Sequence, residues 1–478
     1  MSEIQQTTHS ELQSQITIVS QVFYPDQQST SLLLSDLASQ LSQQGVNVHV
    51  LASYSAKNNT AKKDTAKTDT QTDNNTDKSV HKNIEINTSK NTGKNTGENV
   101  LKTEASDTQS KDSQSKDPKF KHRQSEVWNG VHIHRGGVSI NAKRSMLHRA
   151  VVYLAYLSWL IIKLFTVPKK SIILVVTNPP FAPLLVSWVT KIRGTQYVVL
   201  LHDVYPDGLI SVGKLQANGV VSRIWRSANH KCFERAHSIV VLGRDMKARV
   251  QQQYHVSAEK IQIIPNWSLI EVDQPIQAEE TQLWSTLSFP DERILLVQYS
   301  GNMGLWHDLD ILIEAAKILE SRHLPVYFLM IGHGIRAEEA KNKAKNLGLR
   351  QMMWLPFQPL SALTDSLQCA HMGIVTQRPD TQGIMVPSKL YGILAMGRGV
   401  LALVPQQSEV ALSVQEGTCG VVCDPNDPSA LADQLSELFH DPEQVRQYGI
   451  SARTYYQGEY GSSRATQAFI SLFAQIES

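Results

Sequence analysis

The sequence contains few cysteines, no hydrophobic run long enough to span a membrane, and no large excess of either charge. Its four cysteines among 478 residues are too few and too scattered for a disulfide framework; they are Cys232, Cys369, Cys419 and Cys423. No Cys or His cluster completes a zinc site around the last two. The formal net charge of +2 gives no indication of nucleic-acid binding. We therefore expect reduced structural thiols, no metal and no nucleic-acid partner.

The uninterrupted apolar run at residues 150–162 is shorter than the ~20 residues that a transmembrane helix needs. Basic residues flank it on both sides, and it contains three aromatic residues suited to a membrane–water boundary: Tyr153, Tyr156 and Trp159. Two interpretations stay open. A helix over 147–167 either lies on an anionic membrane surface and receives a lipid-linked substrate, or is a buried helix of the first domain.

The first 15 residues, MSEIQQTTHSELQSQ, are polar and contain no apolar core of a signal peptide. This predicts a cytoplasmic protein, and the basic, apolar stretch predicts peripheral contact with the inner face of the cytoplasmic membrane. Residues 55–119 contain no aromatic residue and are dominated by Lys, Asp, Thr, Asn, Ser and Gln. Such a composition buries too little apolar surface to offset its ordering entropy, so we predict a disordered insertion there.

Apolar strands alternate with amphipathic helices along the rest of the chain, which predicts an α/β fold of two doubly wound parallel sheets. The predicted domains are 1–275 and 285–455, with a closing helix over 456–478 that packs back on the first domain. The first strand–helix turn carries Gln28-Ser-Thr-Ser31 instead of glycines. A Rossmann dinucleotide fingerprint is therefore absent, and NAD is not expected.

Polar and glycine-rich segments follow the strands of both predicted sheets, where open α/β folds bind ligands. In the first domain they are Gln28, Ser29 and Thr30, and His202 with Asp203. In the second they are Gly301-Asn302-Met-Gly304, Gly332-His333-Gly334 and Pro387-Ser388-Lys389. Glycines let a backbone approach a pyrophosphate closely. This arrangement predicts a phosphate-bearing ligand on the second domain and another substrate on the first.

The segment 385–400, MVPSKLYGILAMGRGV, predicts the start of a helix at its Pro-Ser-Lys turn. Pro387 fixes its own φ, and Ser388 is expected to cap the unpaired N–H groups. Lys389 places a positive charge in the first turn, where the helix dipole favours an anion. A phosphate bound there would interact favourably with both the charge of Lys389 and the helix dipole. The alternative is an ordinary helix whose lysine points into water.

Taken together, these segments resemble the GT-B glycosyltransferases of family 4, and most closely the subgroup that makes bacterial exopolysaccharide, colanic-acid-type polymers and O-antigen. The matching landmarks cover nearly the whole chain outside 55–119. They are FYPD at 23–26, HDVYPD at 202–207, AHSIVVLGRDMKARV at 236–250, IQIIPNW at 261–267, YSGNMG at 299–304, IGHG at 331–334 and PSKLYGILAMGRGV at 387–400.

The resemblance implies transfer of a sugar from a nucleoside-diphosphate donor, with UDP expected in preference to GDP as its nucleotide. The transfer would retain the configuration of the sugar and would need no metal. The acceptor would be an oligosaccharide or a sugar on a polyprenyl diphosphate, held by the first domain near Gln28, Ser29, Thr30 and Asp203. His202 would contact the donor sugar, and Lys389 the departing diphosphate. Further donor contacts would come from Gly301, Asn302, Gly304, Gly332, His333, Gly334, Asp380, Pro387, Ser388, Tyr391 and Gly392.

The sequence departs from the family pattern at four positions. Ile384 and Gly392 replace the two glutamates that the family carries eight positions apart, and Asn302 and His307 replace its Arg and Lys. Two other hypotheses follow. One is an isomerase resembling the non-hydrolysing UDP-N-acetylglucosamine 2-epimerases, which would need carboxylates in the cleft. The other is a non-catalytic scaffold of a polysaccharide assembly complex.

Overall fold

The computed structural model describes residues 12–54, 125–138 and 146–477. Contacts divide the chain into a compact unit of residues 1–57 with 124–478 and a second unit of 58–123. Both sheets belong to the first unit. The predicted insertion at 55–119 lies outside the described residues.

The first described half of the chain forms one largely parallel sheet. Its strands are β1 (Ile16–Val19), β2 (Val48–Ser53), β3 (Ser125–Trp128), β4 (Val131–Gly136), β5 (Ile172–Val176), β6 (Tyr197–Leu201), β7 (Ser238–Val241) and β8 (Ile261–Ile263). They lie in the order β3-β4-β2-β1-β5-β6-β7-β8, and only β3 pairs antiparallel with its neighbour. Strands β5 and β6 are entirely buried, as expected where helices cover both faces.

The helices of this half lie between and around its strands. They are α1 (Ser29–Gln43), α2 (Met146–Thr166), α3 (Ala182–Arg193), α4 (Asp207–Ser211), α5 (Val220–Arg235) and α6 (Arg244–Tyr254). Helix α2 packs on α3, and α3 packs on α5, so these three lie side by side.

The second half repeats the plan with a fully parallel sheet. Its strands are β9 (Leu295–Ser300), β10 (Val326–Ile331), β11 (Met352–Leu355), β12 (Met372–Thr376), β13 (Gly399–Leu403) and β14 (Gly420–Cys423). They lie in the order β11-β10-β9-β12-β13-β14. Its helices are α7 (Gln282–Thr286), α8 (Asp310–Ser321), α9 (Ala337–Asn346), α10 (Leu363–Gln368), α11 (Lys389–Ala395), α12 (Glu409–Glu416), α13 (Pro428–His440), α14 (Pro442–Glu459) and α15 (Ser462–Glu477). Two doubly wound sheets are what the sequence predicts.

Helix α14 packs on α11 and β13 and runs across the position where the sequence predicts a domain boundary. The last helix, α15, returns to the first half and packs on α1. The hydroxyl of Thr466 donates to the side-chain oxygen of Gln40 at 3.1 Å, and the hydroxyl of Ser14 donates to the Glu477 carboxylate at 2.8 Å. The two ends of the described chain therefore meet.

Helix α2, for which the sequence left two interpretations open, has one buried side and one exposed side. Tyr156, Leu160 and Leu164 are fully buried against the first sheet and α3. The opposite side, including Leu154 and Ile162, is exposed. None of the described helices is both long and apolar enough to cross a membrane.

Candidate active site

The polar segments of each half meet because the strands that precede them are neighbours in the sheet. Strands β10, β9 and β12 are adjacent, so the loops that follow Ile331, Ser300 and Thr376 share one edge of the second sheet. Strands β1, β5 and β6 are adjacent in the first sheet and bring His202 to the corresponding edge. Both sets lie at carboxyl ends of parallel strands, the usual ligand edge of this architecture.

Lys389 lies at the centre of the second group. Its Nζ is 3.3 Å from Nε2 of His307 and 4.8 Å from the ring centroid of Tyr299, over the face of that ring. No carboxylate among the residues that the structure describes pairs with it. Burial lowers the pKa of Lys389 to about 7. A half-buried amine of this kind binds an anion well, because the anion supplies the missing counter-charge.

His307 presents a lone pair to this lysine. Its Nδ1 lies 2.8 Å from the carbonyl oxygen of Thr376. Since a carbonyl only accepts, Nδ1 carries the hydrogen and Nε2 is the acceptor that faces the ammonium. Burial, followed by the charge of Lys389, lowers the pKa of His307 to about 3, so the ring is neutral. The sequence identified His307 only as a departure from the family pattern.

Gly301 makes room for the lysine side chain. A Cβ at this position would lie 2.8 Å from Cε of Lys389, and the glycine has a φ of +140°. Asn302 is exposed beside it, and the neighbouring Gly304 would direct a Cβ at the Asn302 amide nitrogen, 3.2 Å away.

Gly332 and Gly334 are required by loop packing. A Cβ on Gly332 would lie 2.1 Å from the carbonyl oxygen of Gly301, and one on Gly334 would lie 2.3 Å from that of Met303. The backbone N–H of Met303 also donates to the carbonyl of His333 at 3.0 Å. Close approach of these loops explains both glycines without a ligand, whereas the sequence predicted that they admit a pyrophosphate.

Ser388 does not cap the helix as the sequence predicted. Its own backbone is α-helical, with φ −66° and ψ −13°, and its side chain accepts no hydrogen bond from α11. The hydroxyl instead lies 3.5 Å from that of Ser29, at the start of α1 in the first half. Pro387 is buried immediately before it. Helix α11 has only seven residues, so the positive charge of Lys389 is the main anion-attracting group here.

His202 and Asp203 occupy the opposing edge. Nδ1 of His202 is 3.4 Å from the hydroxyl of Thr30, and its backbone N–H donates to the hydroxyl of Thr177 at 3.2 Å. Burial lowers the pKa of His202 to about 4, so the ring is neutral at physiological pH. Burial raises the pKa of Asp203 to about 6. Gln28 is exposed just before α1, on the same side. The first-half site residues are therefore close to one another.

Three of the predicted donor contacts lie elsewhere or are already engaged. The Tyr391 ring is fully buried and packs edge-on against Tyr460, with centroids 5.1 Å apart, so the predicted donor contact at this position concerns its backbone groups. Asp380 is ion-paired with Arg378 at 2.9 Å. A Cβ on Gly392 would face Leu367 of α10 at 3.5 Å.

Contacts between the two halves join the edges on which these residues lie. The indole N–H of Trp306 donates to the backbone carbonyl of Gly208 at 3.3 Å. The backbone N–H of Val204 donates to the backbone carbonyl of Ile384 at 2.9 Å. Ile384 is buried. At the position of a family glutamate, this chain therefore has an apolar side chain beside the HDVYPD segment.

A second set of contacts lies near the start of α6. The N–H of Arg244 donates to Oε2 of Glu409 at 2.6 Å, and its guanidinium reaches Oε1 at 3.0 Å. Asp245 accepts from the N–H of Gly383 at 3.1 Å. No group of His, Cys, Asp and Glu side chains in the described ranges is arranged to hold a metal ion.

Two protein-family models match the chain, one for each half. The model described as "Glycosyl transferase 4-like domain" matches residues 33–267, and "Glycosyl transferases group 1" matches residues 280–455. Together they cover most of the described sheets and all the loops of the candidate site after residue 32.

Curated relatives match at low identity. The chain is 25% identical over 270 residues to the probable glycosyltransferase WbjE of Pseudomonas aeruginosa, covering 56% of this chain and 66% of that protein. It is 26% identical over 287 residues to the putative colanic acid biosynthesis glycosyl transferase WcaI of Escherichia coli, covering 59% and 68%. The matched regions therefore span about two thirds of the lengths of these relatives.

Solved structures match over almost the full chain. Anabaena Alr3699/HepE in complex with UDP superposes with a TM-score of 0.62 at 12% identity, covering 96% of this chain and all of that one. WaaG, a glycosyltransferase involved in lipopolysaccharide biosynthesis, superposes with a TM-score of 0.60 at 14% identity, covering 96% and 99%. At these identities the likeness concerns the fold alone, and it confirms the predicted GT-B architecture.

Proposed function

Because the chain belongs to family 4 of the GT-B glycosyltransferases, we propose that it transfers a sugar from a nucleoside-diphosphate donor during synthesis of a cell-surface polysaccharide. A role in polysaccharide synthesis is supported by a relative whose name refers to colanic acid biosynthesis and by a structural neighbour involved in lipopolysaccharide biosynthesis. The observation that supports a donor site is the position of Lys389, a half-buried amine with no carboxylate partner among the described residues.

The donor diphosphate binds at the edge of the second sheet in this proposal. Lys389 contacts the phosphates, and Gly301 and Asn302 line the same loop. UDP is proposed in preference to GDP, because the HepE neighbour was crystallised with UDP. Negative charge grows on the leaving diphosphate in the transition state, and a fixed ammonium nearby stabilises that charge more than it stabilises the ground state.

His202 acts on the sugar side. Its neutral ring lies on the first sheet, where it contacts the donor sugar and the charge that forms as the glycosidic bond breaks. Configuration at the transferred carbon is retained, with the leaving phosphate oxygen as the base that takes the acceptor proton. No metal takes part, since the lysine supplies the positive charge.

The acceptor binds against the first sheet, near Asp203 and the segment Gln28–Thr30. A carboxylate whose pKa lies near 6 is ionised at neutral pH and accepts hydrogen bonds from sugar hydroxyls. The acceptor is an oligosaccharide or a sugar linked to a polyprenyl diphosphate, presented at the inner face of the cytoplasmic membrane.

A non-catalytic scaffold is the second candidate, and one observation favours it. The two positions that carry glutamates in the family are Ile384, which is buried, and Gly392, which has no side chain. A scaffold predicts that polymer synthesis survives Lys389→Met or His202→Asn, whereas an enzyme predicts its loss.

The test is thermal unfolding of the full-length protein with UDP, GDP, ADP and their sugar conjugates. A ligand at about 100 times its dissociation constant stabilises the protein by ~2.7 kcal/mol. We expect stabilisation by uridine nucleotides and none in Lys389→Met. Lys317→Met, on the far side of α8, is the matched control and keeps the wild-type shift. A folded wild-type protein that responds to no nucleotide would contradict the donor site and favour the scaffold.

A further inference from the structure

A cavity of about 1030 Å³ lies at the amino edge of the second sheet, and we call it the amino-edge cavity. Its wall includes Arg293, His371 and Arg398, which come just before β9, β12 and β13. The segment 275–279, which connects the two halves, and helix α14 also line it. Strands β9 and β12 carry loops of the candidate active site at their other ends. The cavity is therefore separate from that site.

Arg398 is a buried cation in this wall without a paired carboxylate among the described residues. It is 9% exposed, and its guanidinium donates to the backbone carbonyls of Gln368 at 2.7 Å and Ile276 at 2.6 Å. Glu279 acts on its charge only at longer range and is itself bound by Nε2 of His371 at 3.0 Å. Burial lowers the pKa of Arg398 to about 10, so it stays charged at neutral pH. Carbonyls compensate a buried charge only in part, and an anion would complete the compensation.

Two further arginines of the wall are also held by carbonyl oxygens. Arg453 of α14 donates to the carbonyl of Ala395 at 2.8 Å and to that of Val272. Its Nε is buried and has no hydrogen-bond partner in the part of the chain that the structure describes. Arg293 donates to the carbonyl of Phe439 at 2.6 Å. Three guanidinium groups therefore surround one cavity without forming an ion pair to any described carboxylate.

The acidic side chains of the wall do not cancel this charge. The cavity is lined by four arginines and three carboxylates. The fourth arginine, Arg446, pairs with Glu443 at 2.7 Å. Asp291 accepts from the hydroxyl of Tyr327 at 2.8 Å, and Glu292 is exposed. The wall therefore has a net positive charge, and its most buried charged group is the Arg398 cation.

Aromatic rings form the apolar part of the wall. Trp284 and Phe289 pack together with ring centroids 4.9 Å apart, and Trp284 also meets His371 edge-on at 5.6 Å. The guanidinium of Arg293 lies over the ring of Phe439, 5.0 Å from its centroid. Apolar walls with a few fixed polar groups are typical of sites for small organic ligands, and the volume is at the upper end of the usual range.

The wall is held in place by contacts of its own. Gly397 has a φ of +62°, and a Cβ there would lie 2.7 Å from Cγ of Pro275, so the connecting segment packs directly on this backbone. The backbone N–H groups of Gln282 and Leu283 donate to the Asp365 carboxylate at 2.8 and 2.9 Å. The arginines and rings are therefore positioned before any ligand binds.

We propose that the amino-edge cavity is a binding site for a small organic anion, which carries a phosphate or carboxylate group on a flat apolar ring. The anionic group contacts Arg398 and Arg453, and the ring packs against Trp284 and Phe289. Because both arginines also bind carbonyls of the segment 272–276, the ligand lies beside the connection between the two halves. The site does not depend on the proposed function, since it lies at the opposite edge of the sheet from Lys389.

The test is isothermal titration of the full-length protein with three probes: phenyl phosphate, benzoate and inorganic phosphate. We expect phenyl phosphate to bind at least about tenfold more tightly than inorganic phosphate, because the ring adds apolar contact. The tighter of phenyl phosphate and benzoate identifies the anionic group. Inorganic phosphate that binds as tightly as both ring-bearing probes would overturn the proposed ligand class, and no binding of any probe would overturn the site.

Ile450→Glu places a carboxylate among the arginines. Ile450 lines the cavity from α14 and is 48% exposed, so the substitution removes little buried packing. We expect the affinity for the ring-bearing probes to fall at least about tenfold, because the new carboxylate competes with the ligand for the arginines. Ile224→Glu is the matched control, at an isoleucine of α5 that is 64% exposed in the first half. Binding to Ile450→Glu at the wild-type level would contradict the site.

Arg398→Met removes the buried cation and is expected to weaken binding of the probes by about tenfold, whereas Arg398→Lys retains part of it. Equal melting temperatures exclude unfolding as the cause. If Arg398→Met does not fold, Ile450→Glu still decides between the outcomes.

Lys389→Met distinguishes this cavity from the proposed donor site. We expect this variant to bind the probes as wild type does, although it loses the response to UDP. Probe binding that disappears in Lys389→Met and persists in Ile450→Glu would assign the probes to the donor site and overturn the proposal. A wild-type protein that binds the probes but no nucleotide would contradict the proposed function alone.

Discussion

Nε2 of His307 and Nζ of Lys389 lie 3.3 Å apart, although 82 positions separate the two residues in sequence. The Thr376 carbonyl fixes the histidine tautomer, so the ring offers a lone pair to the lysine. His307 therefore orients the ammonium without competing with it for an anion. The arrangement gives this chain a positioned cation at the edge of the second sheet.

Removal of the histidine tests this relationship. In His307→Ala, Lys389 loses its acceptor and becomes mobile, so we expect UDP to bind about tenfold more weakly, the equivalent of one charge-assisted hydrogen bond. His307→Gln restores part of the affinity, because its amide oxygen can accept from the ammonium. Isothermal titration at neutral pH measures both. Equal affinity in wild type and His307→Ala would contradict the positioning role.

Nucleotide binding is expected to weaken as pH rises through about 7, the pKa to which burial lowers Lys389. A diphosphate binds the ammonium form, so above this pH binding must take up a proton. Titration in two buffers with different ionisation enthalpies, at about pH 8, measures that uptake. Lys389→Met shows none. The ligand-free protein has the opposite trend, since a lowered lysine pKa makes stability rise with pH between about 7 and 10.5.

His202→Asn separates binding from transfer. The asparagine keeps a polar group near Thr30 but loses the imidazole that we propose to contact the donor sugar. We expect sugar transfer to fall about a hundredfold, as when a group that stabilises developing charge is removed, while UDP binds as in wild type. The control is His237→Asn on the exposed surface of the same half. Transfer that survives in His202→Asn would favour a different catalytic group.

Gly301→Ala changes the space beside Lys389. Its Cβ would lie 2.8 Å from Cε of the lysine, at a φ of +140° that other residues rarely adopt. We expect a loss of stability of about 1–3 kcal/mol and a loss of the nucleotide-induced thermal shift. Gly304→Ala, in the same loop without a positive φ, retains the shift. If both variants bind UDP equally, Gly301 does not shape the lysine site.

The contact between Arg244 and Glu409 joins the two halves of the molecule. Glu409 is largely buried and accepts three hydrogen bonds from Arg244, including one from its backbone. Glu409→Gln is expected to lower the free energy of unfolding by about 2 kcal/mol, because bonds to a charged group are lost. The control is Glu416→Gln, whose exposed carboxylate pairs with the same arginine and contributes less than about 1 kcal/mol. Chemical denaturation measures the free energy of unfolding of the two variants. Equal losses would contradict the larger contribution that we expect from the buried carboxylate.

Much of the fold follows from the sequence because each strand and helix is encoded within its own segment. The predicted alternation of apolar strands with amphipathic helices is present in both halves, and β10, β12 and β14 are examples of such strands. The short helices α4, α7 and α12 are not recognisable from the sequence, since five to eight residues carry too little periodicity to distinguish a helix from a loop.

The position of the candidate site could also be predicted from the sequence, because parallel strands bring their carboxyl ends to one edge of the sheet whatever their side chains are. Topology therefore predicts Gly301 and Lys389 at one edge of the second sheet and His202 at the corresponding edge of the first. The sequence could not determine which way a side chain points once it leaves that edge. Tyr391 is only two positions from Lys389, yet its ring lies in the core against Tyr460.

Only the tertiary structure determines the contacts between distant segments. The lone pair of His307 faces Lys389 because a carbonyl on another strand holds the ring, and no local pattern encodes that. The amino-edge cavity likewise requires the connecting segment, the starts of three strands and α14 to meet, although each of them alone has an ordinary sequence. Local periodicity determines which residues form an element and which side is apolar. Packing between elements determines which of those sides is covered and which side chains meet.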